Sequence, residues 1–433
     1  MALISVLLHL SLLAAAHATS PGQGIRSCPS KQITWSPCVL NGTNLPVSCG
    51  SLSVPMDYTD EHANTTLNLE IRKIPAANSP SKGSIFFNFG GPGDSGFGDI
   101  AIFGELLRVL TGGFHDLIVV APRGTANTIP FSCYNTSIER GIAQLGIVAG
   151  NASDVALGQI WGNTQVIADT CYATQNETGR LIGTAFVARD MMCVVDALGE
   201  DGMLRYWGYS YGTILGLTAA AMFPDRIDKL ILDGVVNPHE YYHNKETEIF
   251  TDADKVLTAF CTACLASPTA CPIAHVHNHT TPAALQTALA TLLTTLKYHP
   301  IVLPILNTPL LIDYTLVKRL LLLNLYSPTT WPSFSSFLTG VLTRNATPSS
   351  PTSPVSSPPA RTGPSPRGDA LPGIKCSDVY DSGRAARLEE VLPTVRGRWN
   401  ASWAVGDARR IICRWSARSG GCRGRGMRGG LTG

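Results

Sequence analysis

The sequence predicts an α/β fold with a mostly parallel sheet, on three observations. Short apolar runs bounded by Gly or Pro, typical of strands buried on both faces, recur at residues 84–89, 116–121, 204–209 and 229–234. Helical patterns lie between these runs, most clearly at residues 186–199 and 213–223, and Pro224 ends the second pattern. A chain of 433 residues with 44% apolar content is also long enough to bury the core that such a sheet needs.

The segments around these runs predict further structure. Residues 28–75 have the pattern of short strands and turns. After residue 240 the strand signals fade, and apolar-periodic segments such as 282–296 predict a helical cap over residues 241–345. Residues 316–326 are strongly apolar but are interrupted by Lys318 and Arg319. We therefore predict a buried helix there and no membrane anchor.

Two C-terminal segments differ from the rest in composition. Residues 346–372 are so rich in Ser, Pro and Thr that they predict a disordered or O-glycosylated linker. Residues 373–433 lose both periodicities towards their end, where the chain becomes rich in Gly and Arg. The predicted organisation begins with a leader (residues 1–18), the first part of the α/β core (19–240) and a cap (241–345). A linker (346–372) and a partial C-terminal core segment with an irregular tail (373–433) follow.

The N-terminus predicts export. Residues 1–18 are apolar, too short to cross a bilayer, and end in the small-x-small pattern Ala16-His17-Ala18, so we interpret them as a signal peptide. Twelve cysteines and eight N-x-S/T sequons agree with an extracellular, oxidising setting. The sequons are Asn41, Asn64, Asn135, Asn151, Asn176, Asn278, Asn345 and Asn400.

The cysteine spacing suggests local disulfide bonds. Cys38 with Cys49, and Cys264 with Cys271, are close enough in sequence to pair. Cys261 and Cys264 have the spacing of half a zinc site, but no second pair at ligand spacing exists, so we favour disulfide bonding over metal binding. Cys193 lies in an apolar helical pattern and is expected to be an inert core thiol.

The charge distribution does not predict a nucleic-acid-binding protein. The net charge is +2, but seven arginines lie between Arg409 and Arg428, so residues 1–408 carry 26 basic and 31 acidic side chains, a net −5. Such a body has no basic footprint for nucleic acid. A Gly/Arg-rich tail is able to contact RNA or acidic surfaces, but we interpret this one as an unselected terminus. Alternating histidines at residues 275–279, beside a sequon, predict an exposed loop rather than a metal site.

The pattern Gly208-Tyr209-Ser210-Tyr211-Gly212 makes Ser210 the candidate nucleophile. The pentapeptide alone is a weak signal, but it lies between a predicted strand and a predicted helix. A serine at such a turn takes a strained backbone conformation that exposes its hydroxyl, and the positions two before and two after must be small. Gly208 and Gly212 meet that requirement.

The segment "FNFGGPGDSG" at residues 87–96 supplies a candidate oxyanion loop. Acyl transfer needs two N–H donors for the oxyanion, commonly one from the residue after the nucleophile and one from a glycine-rich loop. We predict the N–H groups of Tyr211 and Gly91 for this role. Residues 91–96 also match G-x-G-x-x-G, with Asp116 at dinucleotide-binding distance, but an exported protein has little access to NAD. We therefore predict no cofactor. A plain glycine turn without function is the remaining alternative, and the presence of the serine motif makes the oxyanion loop the favoured interpretation.

Several motifs together resemble one family. The segments "GGPGDSG", "APRGTANTIPFSC", "YWGYSYGTILG", "MFPDRIDKLILDGVVNP", "CTACLASPTACPIA" and "IKCSDVY" occur in the order seen in secreted α/β-hydrolases of the tripeptidyl aminopeptidase and proline iminopeptidase group. The match covers residues 30–300 and a short island at residues 374–380. The resemblance implies an α/β-hydrolase fold with a helical cap and a serine peptidase that cuts peptides near a free N-terminus, with Ser210 as nucleophile.

The chain departs from that family in two places. The family takes its acid from a D-P-x-T-P-like strand end and its base from a G-H-G or G-H-C turn near the C-terminus, and this sequence has neither. Its last histidine is His299, and serine without a base is a weak nucleophile at neutral pH. The family also has Asp where this chain has Ala121, so we expect Arg123 to lack its usual local partner.

Two functional hypotheses follow. The first is an extracellular serine hydrolase, an aminopeptidase acting on peptide substrates through a Ser210 acyl-enzyme and impaired here because the acid and the base are missing. The second is a non-catalytic extracellular binding protein on the same scaffold. The serine motif and the glycine loop favour the first hypothesis, and the missing histidine favours the second. Substrate length and oligomeric state are left open.

Overall fold

The computed structural model describes residues 27–28, 32–60, 62, 64–278, 281–303, 310–344, 367–380 and 385–407. Its main element is a seven-stranded sheet in the order β1-β2-β3-β5-β4-β6-β7. The strands are β1 (Thr34–Cys38), β2 (Val47–Pro55), β3 (Thr66–Ile74), β4 (Ser84–Asn88), β5 (Asp116–Val120), β6 (Leu204–Tyr209) and β7 (Ile227–Asp233). The predicted signal peptide and most of the predicted linker and tail lie outside the described residues.

The sheet combines an antiparallel and a parallel half. Strands β1, β2, β3 and β5 pair antiparallel, whereas β5, β4, β6 and β7 pair parallel. The four predicted apolar runs form this parallel half, each within a few residues of its predicted bounds. Parallel neighbours require crossover connections, and helices supply them here. The predicted α/β class is therefore confirmed.

Helices cover both faces of the sheet. The helices between β4 and β7 in the chain are α1 (Phe97–Leu110), α2 (Ser137–Leu145), α3 (Ala156–Gly179), α4 (Thr184–Leu198) and α5 (Tyr211–Met222), and α1, α4 and α5 pack on the sheet. On one face, α4 and α5 bury a core with β2, β3 and β6 that includes Leu69, Phe186 and Leu215. On the other face, α1 packs through Ile100 and Leu107 against the sheet. β7 is the last strand of the described sheet and leaves Ile231 48% exposed.

The region after β7 is mainly helical. It contains α6 (Pro238–Tyr242), α7 (Ala253–Ala266), α8 (Pro282–Tyr298), α9 (Tyr314–Leu325) and α10 (Trp331–Leu342). α7, α8, α9 and α10 share a core of their own, which includes Phe260, Leu289, Leu321 and Phe334. The sequence pattern missed a short antiparallel hairpin in this region, formed by β8 (Ile301–Leu303) and β9 (Leu310–Ile312). Strands of three residues are too short to give a periodic signal.

The described residues beyond 366 form two helices, α11 (Arg367–Asp378) and α12 (Leu388–Ala401). The predicted linker boundary at residue 372 is therefore wrong, because residues 367–372 belong to α11. Ala370 and Ile374 of this helix are buried in one hydrophobic cluster with Tyr211. The apolar residues that drive this burial are interspersed with Gly, Pro and Asp, which made the segment resemble a linker.

Four disulfide bonds join described residues. Cys38–Cys49 and Cys264–Cys271 are the predicted local pairs. Cys133–Cys171 and Cys28–Cys193 are the others. The prediction that Cys193 is an inert core thiol is wrong, since Cys193 forms a disulfide bond that joins Cys28 to α4. The buried free thiol is instead Cys261, whose pKa is raised to about 12 by burial.

Arg123 also differs from expectation, because it has a full set of partners. Its guanidinium is completely buried and pairs with Asp190 of α4, with a Nε to Oδ2 distance of 2.7 Å. It further donates to the backbone carbonyls of Pro55, Met56 and Leu181. Asp190, 67 residues away, replaces the local acid that Ala121 cannot supply.

Among the described residues, no helix is long and apolar enough to cross a membrane.

Candidate active site

Ser210 lies at the sharp turn between β6 and α5. Its backbone has φ 54° and ψ −122°, outside the regions that non-glycine residues normally occupy. The turn is fixed from two sides, because the Ser210 N–H donates to the Asp233 carbonyl (2.9 Å) and the Thr213 hydroxyl donates to the Ser210 carbonyl (2.7 Å). Thr213 in turn accepts from the Val236 N–H (3.0 Å). The Ser210 side chain is held in an exposed position.

The glycines around Ser210 are required by close backbone contacts. A Cβ at Gly208 would lie 2.4 Å from the Gly212 carbonyl oxygen, and a Cβ at Gly212 would lie 2.4 Å from the Asn88 carbonyl oxygen. Real Cβ atoms do not approach so closely, so strand and helix meet here only because both positions lack side chains. The buried Tyr206 hydroxyl adds a bond to the Gly212 carbonyl (2.7 Å).

The glycine loop, defined here as residues 90–93, lies directly beside Ser210. A Cβ on Gly90 would lie 2.9 Å from the Ser210 Cβ and 3.3 Å from the Tyr211 nitrogen. Gly90, Gly91 and Gly93 all have positive φ, between 96° and 114°, which few other residues adopt. The loop is tied to β4 by the Gly90 N–H, which donates to Asn88 Oδ1 (3.0 Å).

The two predicted oxyanion donors have free N–H groups. Among the hydrogen bonds made by the described residues, none uses the N–H of Gly91 or of Tyr211. Tyr211 is the first residue of α5, where the first N–H groups have no acceptor within the helix and carry the positive end of its dipole. Unbonded N–H groups at a helix N-terminus are able to stabilise a negatively charged oxygen.

The side chain of Tyr211 leads away from the site into a buried polar cluster. Its hydroxyl lies 2.6 Å from the Thr184 hydroxyl, which bonds the Asp378 carboxylate at 2.5 Å. Burial raises the pKa of Asp378 to about 6, against bonds from Thr184 and Tyr241 and the charge of Lys375, which lower it. Sequence reasoning had placed Asp378 only within a resemblance motif and had given it no role.

The structure brings no histidine to the serine within the described residues. No described hydrogen bond joins the Ser210 hydroxyl to an imidazole. The rings of His239 in α6 and of His243, the residue after α6, are tilted relative to each other with centroids 4.1 Å apart, and His299 is exposed at the end of α8. Asp233 ends β7 beside the turn with an exposed side chain. Burial, and secondarily the Asp233 charge, raise the pKa of Tyr209 to about 12, so that phenol stays protonated.

No cluster of metal-binding side chains occurs in the part of the chain that the structure describes. Among those residues, no three His, Cys, Asp or Glu side chains gather in the way a metal ion requires. The G-x-G-x-x-G segment at residues 91–96 lies in the β4–α1 connection, directly after Gly90, whose added Cβ would lie 2.9 Å from the Ser210 Cβ.

The family comparison addresses this same region. A family model described as "alpha/beta hydrolase fold" matches residues 153–257, which include β6, the Ser210 turn, α5 and β7. The match coincides with a sheet whose parallel half is flanked by helices and whose serine lies at the strand-to-helix turn. The chain has the α/β-hydrolase fold.

Several curated proteins are similar to this chain in sequence. A tripeptidyl aminopeptidase of Streptomyces coelicolor is 30% identical over 212 residues, 48% of this chain and 38% of the relative. The serine protease Hip1 of Mycobacterium tuberculosis is 30% identical over 213 residues, 48% of this chain and 40% of the relative. A putative hydrolase, YuaR, of Escherichia coli is 27% identical over 270 residues, 58% of this chain and 50% of the relative. The chain therefore spans half or less of the length of these relatives.

Proposed function

We propose that this α/β-hydrolase chain is a serine hydrolase in which Ser210 forms an acyl-enzyme. The observation that carries the proposal is the strained, exposed Ser210 turn beside the glycine loop, and the unbonded N–H groups of Tyr211 and Gly91 are the proposed donors. The hydroxyl oxygen attacks a carbonyl carbon, and the carbonyl oxygen gains negative charge between the two donors. The bond from that carbon to the leaving group then breaks, and the leaving group departs with the hydroxyl proton, which water carries in place of a histidine. Donors that are already in place need no reorganisation at that moment, which is the main source of their catalytic effect.

We further propose that the substrate is a peptide with a free N-terminus. The similarity to a tripeptidyl aminopeptidase and to a serine protease supports an amide substrate. Helices α7 to α10 share a core of their own, in keeping with a cap that limits access to Ser210. We propose an extracellular setting on the basis of the four disulfide bonds and the predicted signal peptide.

The rate is expected to be low. Proton transfer by a general base contributes roughly 10²–10⁴-fold to such reactions, and among the described residues no histidine is bonded to Ser210. What remains is the contribution of the oxyanion donors and of substrate binding, roughly 10³–10⁴ over water. The alternative hypothesis, a peptide-binding protein without turnover, differs from this one in predicting no dependence on Ser210.

The experiment compares a tripeptidyl anilide that has a free N-terminus with its N-acetylated counterpart. We expect slow release of aniline from the free peptide, none from the acetylated one, and loss of release in Ser210→Ala. Ser336→Ala is the matched control, because Ser336 is an exposed serine on α10 that bonds only its own helix. Equal release by Ser210→Ala and the unmodified chain would exclude the serine mechanism and favour the binding protein.

A further inference from the structure

Helix α11 contacts the glycine loop directly and is linked to Tyr211 through Thr184, although it lies far from both in sequence. On one side it supports the glycine loop, where a Cβ at Gly93 would lie 2.7 Å from the Leu371 nitrogen and 3.1 Å from the Ala370 Cβ. On the other side, Asp378 at its C-terminal end reaches Thr184, the first residue of α4. The two parts of the oxyanion site are thus braced by one helix.

The contact on the Tyr211 side is a chain of short hydrogen bonds. Asp378 accepts from the Thr184 N–H (2.7 Å), from the Thr184 hydroxyl (2.5 Å) and from the Tyr241 hydroxyl (2.9 Å). The Thr184 hydroxyl lies 2.6 Å from that of Tyr211. Thr184, Tyr211, Tyr241 and Asp378 are each no more than 3% exposed. Buried bonds of this kind hold side chains in one geometry, because water cannot replace a lost partner.

The direction of the chain follows from the charge of Asp378. An ionised carboxylate only accepts, so the Thr184 hydroxyl must donate to it and is left with a lone pair for Tyr211. The Tyr211 hydroxyl therefore donates to Thr184. Burial, with the Asp378 charge next, keeps the pKa of both Tyr211 and Tyr241 well above the ordinary value, so both phenols stay available as donors.

Other elements packed around Asp378 supply further groups. Tyr242 and Tyr380 also have raised pKa values, to which the Asp378 charge contributes after burial. On its own helix, Lys375 pairs with Glu246 at 3.0 Å and donates to the Tyr241 carbonyl at 2.6 Å. Lys375 is the nearby cation that lowers the Asp378 pKa. The carboxylate is therefore held by hydrogen-bond donors and by the charge of Lys375.

On this basis, and resting on the proposed function, we propose that Asp378 is a positioning residue for the oxyanion site. Acting through Thr184, it fixes the Tyr211 side chain and thereby the direction of the Tyr211 backbone N–H next to Ser210. Asp378 does not touch the reacting atoms. Its contribution is to keep one oxyanion donor within the narrow range of positions in which such a donor is effective.

The test removes one hydroxyl from the middle of the chain. Thr184→Val keeps the shape of the side chain and breaks the link between Asp378 and Tyr211, whereas Thr184→Ser keeps the hydroxyl. Thr218→Val is the matched control. Thr218 lies on the same helix as Tyr211, and its hydroxyl makes an equally short buried contact (2.6 Å) with the hydroxyl of Tyr242 in α6. Folding of each variant is checked by its thermal midpoint.

Two readouts are measured on the full chain, the rate of Ser210 labelling by a fluorophosphonate and the hydrogen exchange of the peptide containing Tyr211. We expect Thr184→Val to label about tenfold more slowly, since complete loss of one oxyanion donor costs about 10²–10³-fold. Its Tyr211 peptide should also exchange faster. Thr184→Ser and Thr218→Val should behave like the unmodified chain in both readouts.

The outcomes separate this proposal from the proposed function. Unchanged labelling and exchange in Thr184→Val, or equal effects in Thr218→Val, would overturn the positioning role. If the unmodified chain does not label at Ser210, the proposed function fails, and hydrogen exchange alone then decides the positioning role. Faster exchange of the Tyr211 peptide in Thr184→Val only would support it in that case.

Discussion

At the scale of single residues, the tightest contacts at the site involve glycines. A Cβ at Gly208 would lie 2.4 Å from the carbonyl oxygen of Gly212. That oxygen is a backbone atom and cannot rotate away as the end of a side chain can. The sequence was sufficient to predict these positions, because the requirement for small residues at a strand-to-helix turn is local. It was not sufficient to predict Thr184 or Asp378, whose contacts join residues 194 positions apart.

We therefore expect Gly208→Ala to destabilise the protein by about 2–3 kcal/mol, the usual cost of forcing atoms into a packed site. The measurement is chemical denaturation. Gly141→Ala is the control, because Gly141 lies in α2 with no atom within 4 Å of its added Cβ, and alanine favours helix. A Gly208→Ala variant as stable as the unmodified chain would contradict the close approach of strand and helix at the turn.

At the scale of elements, α11 links the cap side of the molecule to the site, and its buried Asp378 makes stability depend on pH. The pKa of Asp378 in the folded protein is about 6, above its ordinary value of 3.8, so folding favours the protonated form. Its contribution is complete below pH 3.8 and is lost as the pH rises through 6. The ionised carboxylate still has a structural role, because it accepts hydrogen bonds from Thr184 and Tyr241.

The corresponding experiment measures the free energy of unfolding of the unmodified chain and of Asp378→Asn between pH 4 and pH 7. As the pH rises, the free energy of unfolding of the unmodified chain should fall by about 3 kcal/mol relative to that of Asp378→Asn, since one pKa unit corresponds to about 1.4 kcal/mol. Parallel curves over this range would show that Asp378 titrates normally, and would contradict its burial.

At the scale of the whole molecule, the sequence predicted what depends on local pattern. The strands of the parallel half and helices α4, α5 and α8 are recognisable from periodicity and from Gly and Pro at their ends. The hairpin β8–β9 and the helical start of α11 gave weak local signals, and the Cys28–Cys193 disulfide joins residues 165 positions apart. Arg123 illustrates the same limit, because its partner Asp190 is contributed by a different element.

The central claim, that Ser210 is the nucleophile of a hydrolase site, is tested most directly by locating the fluorophosphonate adduct. The full chain is labelled, digested and mapped by mass spectrometry, with Ser210→Ala in parallel. We expect slow labelling of the peptide that contains Ser210, several-fold faster than any other serine, and no adduct on that peptide in Ser210→Ala. An adduct spread over exposed serines at equal rates, unchanged in Ser210→Ala, would contradict the claim.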